Sequence, residues 1–92
     1  MYYVYVILGQ NNKIYVGYTS DLRERMRSHN AVENEYTKKF RPWGLVYYEA
    51  YFSLQDAKNR ESKLKYRGRA KTLLKQRLFH SLQEIRNSKG AR

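Results

Sequence analysis

Two tyrosines, Tyr5 and Tyr15, stand ten positions apart in the short runs Tyr3-Val4-Tyr5 and Tyr15-Val16-Gly17. Arg25 and His29 follow, four residues apart, and Glu61 comes later as the only acidic residue between Lys58 and Arg77, a stretch with nine basic ones. Phenols, a permanent cation, an imidazole and a carboxylate are the groups that phosphodiester hydrolysis draws on. A guanidinium steadies the charge that develops on a phosphate under attack. An imidazole assists the base or the leaving group. A lone carboxylate suits a Mg²⁺ or Mn²⁺ ion that keeps most of its waters. A phenol, with a pKa near ~10, needs a cation or metal beside it to act as a base at neutral pH. Each residue also has an ordinary reading. Strands collect tyrosines, a histidine can close a helix end, and a core-facing carboxylate can be salt-bridged to a neighbour.

The elements that must hold these residues are legible from periodicity. Met1 to Leu8 alternates β-branched and aromatic residues and reads as a strand; Gly9-Gln10-Asn11-Asn12 is a turn cluster, and Ile14 to Tyr18 is a second strand. Val4, Val6 and Leu8 share one strand face, as do Ile14 and Val16. Those faces coincide only if the hairpin loop has an odd number of residues, such as Gly9–Asn11 or Gly9–Lys13. The same register brings Tyr5 and Tyr15 together on the other face.

Asp21 and Glu24 have capping-box spacing ahead of a helix over Leu22 to Asn30, which carries Arg25 and His29 on one side. Ala31 to Pro42 reads as a polar surface loop with Lys38, Lys39 and Arg41. Leu45 to Phe52 is a third strand. Ser53 caps a helix whose inner stripe is Leu54, Ala57, Glu61 and Leu64, and Gly68 is placed to end it. A basic C-terminal helix spans about 70–87, with Leu74, Leu78, Leu82 and Ile85 on one side and a frayed tail. The expected architecture is a single α+β domain over 1–92: a three-stranded antiparallel sheet flanked by helices, in the order β-β-α-β-α-α.

Bulk composition narrows the partners. Nineteen Lys and Arg against eight Asp and Glu give a net charge of +11. From Asp56 onward there are twelve basic and three acidic residues, so +9 of that surplus lies in this part of the chain. Concentrated positive charge points to a polyanion, foremost nucleic acid. The chain has no cysteine, which excludes a disulfide framework and thiolate metal sites. The apolar run Tyr2 to Leu8 lacks a basic leader and is far too short to span a bilayer, so the expectation is a cytoplasmic protein with no membrane partner.

Taken together, these motifs closely resemble the GIY-YIG nuclease superfamily, named for two strand motifs spaced as here. Tyr3-Val4-Tyr5 stands in the GIY position and Tyr15-Val16-Gly17 in the YIG position. Gly17 to His29 resembles the family's first helix region with its arginine at Arg25, and Glu61 matches the metal-binding glutamate. Within the superfamily the chain is most similar to small stand-alone bacterial proteins, which share His29-Asn30, the stretch Thr37 to Pro42, Leu45-Val46-Tyr47-Tyr48-Glu49 and Arg60-Glu61-x-x-Leu64-Lys65. These proteins are related to the catalytic domain of the excision-repair incision subunit. The similarity extends from residue 1 to about 80.

The resemblance implies a hydrolytic endonuclease acting on DNA, with RNA as the other candidate polymer, in DNA repair or processing. It implies one divalent ion, Mg²⁺ or Mn²⁺, at Glu61, and catalytic roles for Tyr5, Tyr15, Arg25 and His29. By position Tyr15 resembles the general base of repair-type members, whereas other members assign that role to the first tyrosine. Gly17, Lys38, Lys39, Arg41, Lys65, Arg67 and Arg69 are the expected nucleic-acid contacts. Three departures stand out. Tyr3 replaces the glycine of GIY, Tyr18 stands where repair-type members often carry lysine, and no asparagine lies between Asn59 and Asn87, where those members place one. The last departure motivates a second reading, a noncatalytic nucleic-acid-binding module of the same fold. A third, docking of the basic amphipathic stretch Lys71 to Ile85 on a partner or an anionic membrane, rests on that stretch alone.

Overall fold

The computed structural model describes residues 1–31, 37–66 and 68–90, the last two by backbone alone. Tyr2–Leu8 forms β1, Ile14–Thr19 β2 and Gly44–Tyr51 β3; the helices are α1 (Leu22–Asn30), α2 (Leu54–Tyr66), α3 (Gly68–Arg77) and α4 (Phe79–Gly90). The strands build one antiparallel sheet in the order β2-β1-β3, so the first strand is central.

The hairpin has the odd loop that the apolar pattern demands. Leu8 pairs with Ile14 and Val6 with Val16, leaving Gly9–Lys13 as the loop. Asn11 and Asn12 both sit at φ 58°, a left-handed conformation that asparagine tolerates better than most side chains. The register turns Tyr5, Tyr15 and Gly17 to the opposite face, with Tyr5 directly across from Gly17.

Both faces of β1 are covered. Val4, Val6, Leu8 and Val16 pack against Ala57 and Leu64 of α2 and against Leu74, Leu78 and Leu82 behind it. On the other face Tyr5, Ile7 and Trp43 meet Leu22 and Met26 of α1, with Tyr15 and Phe40 at the margin. A strand covered on both sides reads as an unbroken apolar run, as Val4 to Leu8 does.

Several expectations need correction. The C-terminal helix is two segments that meet at Leu78, which makes four helices, and the backbone stays helical to Gly90. Leu78 N–H still donates to Leu74 O (2.9 Å) and Leu82 N–H to Leu78 O (2.8 Å), so hydrogen bonds continue across the break. Leu74, Leu78 and Leu82 are all buried in the cluster that covers β1. Their burial takes that leucine side into the core, while Leu73 and Phe79 of the same stretch stay exposed. Among the described residues no helix is long and apolar enough to cross a membrane.

Gly68 starts α3 instead of ending α2, and it has neither a positive φ nor a close neighbour that would require glycine. Leu54 is largely exposed at the first turn of α2 and does not join the inner stripe. The third strand begins and ends one residue early, leaving Phe52 in solvent. Within the supposed surface loop, Thr37–Phe40 forms a 3-10 turn whose Thr37 is buried, because its carbonyl accepts the indole N–H of Trp43 at 2.7 Å.

Candidate active site

Residues far apart in the sequence converge at the β2 edge of the sheet. The Asp21 carboxylate caps α1 by accepting the Glu24 N–H at 3.0 Å. The Glu24 side chain turns to Arg27 and does not complete a reciprocal box. At the far end, the Asn30 side chain donates to the Trp43 carbonyl (3.1 Å) and accepts the Trp43 N–H. The cap fixes where α1 starts and the Asn30–Trp43 pair ties its end to the chain entering β3, while Arg25 and His29 reach Tyr5.

Tyr5 is completely buried, and its hydroxyl is doubly engaged. Arg25 Nε–H donates to Tyr5 Oη at 3.2 Å, and Tyr5 Oη lies 2.7 Å from His29 Nε2. With the ring proton on Nδ1, His29 Nε2 accepts the phenol proton; with it on Nε2, the phenol oxygen accepts from both Arg25 and His29. Among the described residues Nδ1 has no hydrogen-bond partner. Burial, aided by the Arg25 charge, pushes His29 down to about 4, so the ring is neutral at pH 7. Burial outweighs the pull of Arg25 and pushes Tyr5 up to about 12. The hydrogen bond that Arg25 donates to Tyr5 leads the effects that raise Arg25, joined by Tyr15.

Glycine at position 17 is a steric necessity. A Cβ there would collide with the Tyr5 hydroxyl and meet Tyr5 Cζ at 2.7 Å and Tyr15 Cε1 at 3.1 Å. Tyr15 is held edge-on to His29, with ring centroids 4.9 Å apart, and to Trp43 at 6.1 Å. Lys65 Nζ lies 5.2 Å from the Tyr15 ring centroid.

An open cavity of about 350 Å³ adjoins this cluster, lined by Tyr15, Gly17, Tyr18, Thr19, Arg25 and Glu61. α2 contacts all three strands, and Glu61 reaches past the edge strand into the cavity. Its carboxylate is 16% exposed and pairs with Lys65 Nζ at 3.1 Å. The salt bridge expected of a core-facing glutamate is therefore present, but it engages a single flexible ammonium at the cavity wall. No group of three or more His, Asp or Glu ligands occurs among the described residues. A hard cation that keeps its water shell and takes one carboxylate fits the cavity, whereas a cation needing an all-protein cage does not.

The expected nucleic-acid contacts divide. Gly17 lines the cavity, and Lys65 stands beside it with Tyr15. Lys38, Lys39 and Arg41 lie in and after the 3-10 turn at the far end of α1, where Arg41 Nη1 reaches the Asn30 carbonyl at 3.5 Å. They line no part of the cavity. Arg69 is exposed in the first turn of α3, and Arg67 falls outside the described residues.

Sequence reasoning missed a second cluster. Arg60, next to Glu61 but about 100° around the helix, grips Glu49 of β3 through Nε (2.9 and 3.2 Å) and Nη2 (2.9 Å). The Tyr47 hydroxyl donates to the same carboxylate at 2.7 Å, and so does that of Tyr51. Burial opposes ionisation of Glu49, yet these hydrogen bonds prevail and lower its pKa. The alternation Tyr47, Glu49, Tyr51 shows that the three share a strand face, but not that Arg60 lies above them.

This sheet, with a tyrosine pair, an arginine and a carboxylate around one edge cavity, defines a GIY-YIG domain. A family model described as the GIY-YIG catalytic domain matches residues 1–75, and the chain belongs to that family. Among its relatives it is 40% identical over 65 residues to a UPF0213 protein of Staphylococcus haemolyticus, covering 70% of this chain and 79% of that one. It is 32% identical over 91 residues to a UPF0213 protein of Bacillus velezensis, covering 98% and 86%. A UPF0213 protein of Haloquadratum walsbyi is 37% identical over 65 residues, covering 70% and 73%. No solved structure matches the chain significantly.

Proposed function

We propose that this protein is a metal-dependent endonuclease that hydrolyses DNA phosphodiester bonds, in DNA repair or processing. The observation that carries the reading is the convergence of Tyr15, Arg25 and Glu61 on one open cavity backed by the Tyr5–His29 pair. Family membership supports an endonuclease-type function, and GIY-YIG nucleases generally use divalent metal ions.

Arg25, half-buried and aimed into the cavity, stabilises the charge that grows on the non-bridging phosphate oxygens. Of the two tyrosines that line the cavity, Tyr15 and Tyr18, Tyr15 stands beside Gly17 and the Tyr5–His29 pair and orients the attacking water. Tyr5 does not meet that water: it is buried, protonated at neutral pH, and its hydroxyl is engaged by both Arg25 and His29. It is a positioning residue for Arg25, and neutral His29 braces its hydroxyl. Glu61 would hold the Mg²⁺ or Mn²⁺ ion, which when bound supplies Lewis-acid stabilisation to the phosphate. Lys65 must then yield the carboxylate oxygen that it holds in this structure.

The test is incubation with supercoiled, nicked and branched DNA in the presence of Mg²⁺ or Mn²⁺. Metal-dependent cleavage that disappears in Glu61→Ala supports the reading. Background cleavage of equal extent in both proteins rejects it in favour of the noncatalytic binding module.

A further inference from the structure

We propose that Tyr3 and Tyr48 form a stacking platform for an unpaired base, so that the strand delivered to the cavity is single-stranded DNA. The inference rests on the proposed endonuclease reading for its purpose, since it names the substrate class of that site. The binding it predicts does not require cleavage.

The strand register places these rings. On the face that carries Tyr5, two rows of residues cross the sheet: Gly17, Tyr5 and Tyr48, then Thr19, Tyr3 and Ala50. Neighbouring strands lie about 4.8 Å apart, so each row is contiguous side to side. α1 and Trp43 cover this face as far as Tyr5. Beyond Tyr5 the cover stops: Tyr48 is 52% exposed and Ala50 is exposed as well. Tyr3 meets Tyr48 edge-on, with centroids 5.8 Å apart and planes at 71°, which braces the pair.

Position separates this pair from ordinary surface tyrosines. Gly17 and Thr19, the first residues of the two rows, also line the cavity that holds Arg25 and Glu61. The first row is closed at buried Tyr5, and the second carries the open face from Tyr3 to Thr19 at the cavity. Tyr5 keeps its polar end on Arg25 and His29.

The chemistry of the surface selects its occupant. Every unpaired base offers a π-face to an aromatic side chain, at roughly 1–3 kcal/mol per base. In a duplex those faces are already stacked, so the platform adds nothing to duplex binding. The net charge of +11 attracts either form through its phosphates. Preference for the single strand then comes from the rings.

The experiment compares fluorescence anisotropy of a labelled oligothymidylate with that of a blunt duplex of equal length, in EDTA at fixed salt. The wild-type chain is expected to bind the single strand more tightly. Tyr48→Thr, which keeps strand propensity, should lose roughly 5- to 150-fold in single-strand affinity, the loss of one stacked base, and leave duplex binding unchanged. Tyr48→Phe should retain the preference, and Tyr3→Thr should weaken it less than Tyr48→Thr. Equal wild-type affinity for both forms, or an equal loss for both in Tyr48→Thr, overturns the platform. Metal-dependent cleavage lost in Glu61→Ala, with strand preference untouched by Tyr48→Thr, overturns the platform alone. Tyr48-dependent single-strand binding without any cleavage overturns the endonuclease reading alone.

Discussion

Two carboxylates in this protein have nearly the same surroundings and opposite fates. Glu49 and Glu61 are each 16% exposed, and each pairs with a basic side chain that is 30% exposed. Both lie near a pair of tyrosines. Around Glu49 both carboxylate oxygens are engaged more than once: Arg60 binds both, and Tyr47 and Tyr51 each donate to one. Glu61 holds only Lys65 among the described residues and opens on a cavity with Arg25 and Tyr15. Exposure does not separate the two; saturation of the oxygens does, and on the proposed reading the unsaturated one is the carboxylate offered to the metal.

Removing each carboxylate breaks that comparison most sharply. Glu61→Ala should lower cleavage by roughly 10²–10³-fold, as loss of a charge-stabilising group does. Its melting temperature should barely change, since an i,i+4 pair contributes only about 0.3–0.5 kcal/mol. Glu49→Ala should do the reverse. It strands Arg60 and two hydroxyls, and the 3–5 kcal/mol typical of a broken buried pair falls to about 2–4 here because the cluster is part-exposed. That is a fall of roughly 10–20 °C in a calorimetric scan, at about 5 °C per kcal/mol. Cleavage below the melting temperature should persist.

A milder change sharpens the contrast between the arginines. Arg25→Lys keeps the charge but loses the planar Nε–H that Tyr5 accepts, and should slow cleavage by roughly tenfold or more at unchanged stability. Gly17→Ala should act in the same direction by displacing the Tyr5 phenol, detectable as reduced cleavage with a folded circular dichroism spectrum.

The effect most spread out over conditions is a separation in pH. His29 is held neutral in the fold down to about 4, whereas the unfolded chain protonates it near 6.5. Stability is therefore lost as pH falls from 6.5 to about 4, at no more than about 1.4 kcal/mol per unit. The folded pKa of Glu49 is depressed, so its stabilisation is present above 4.5 and is lost only below that, as pH falls through the folded value. Melting temperatures across this range should show the upper window vanish in His29→Gln and the lower one in Glu49→Gln.

Legibility in the sequence followed the range of the interaction. The hairpin register could be read because one parity buries Val4, Val6, Ile14 and Val16 together and the other parity exposes half of them. The bounds of α1 could be read from Asp21 and the apolar spacing of Leu22 and Met26. Tyr5, Tyr15 and Gly17 came with the hairpin, and Arg25 and His29 with the helix. Glu61 stood out because it was the one carboxylate among cations on a core-facing stripe. The Glu49 cluster could not be read, because its bonds depend on how α2 crosses β3. The aromatic platform escaped for a similar reason: Tyr3 and Tyr48 meet only once β3 returns beside β1. The break at Leu78 could not be read because the leucine stripe runs on through it at a spacing of four.

The most direct measurement is metal-dependent cleavage of DNA by the wild type, Glu61→Ala and Glu49→Ala proteins, each paired with its melting temperature. The account predicts that Glu61→Ala is folded and inactive, while Glu49→Ala is destabilised and, below its melting temperature, active. Cleavage that survives loss of Glu61, or that tracks stability in both variants, would contradict it.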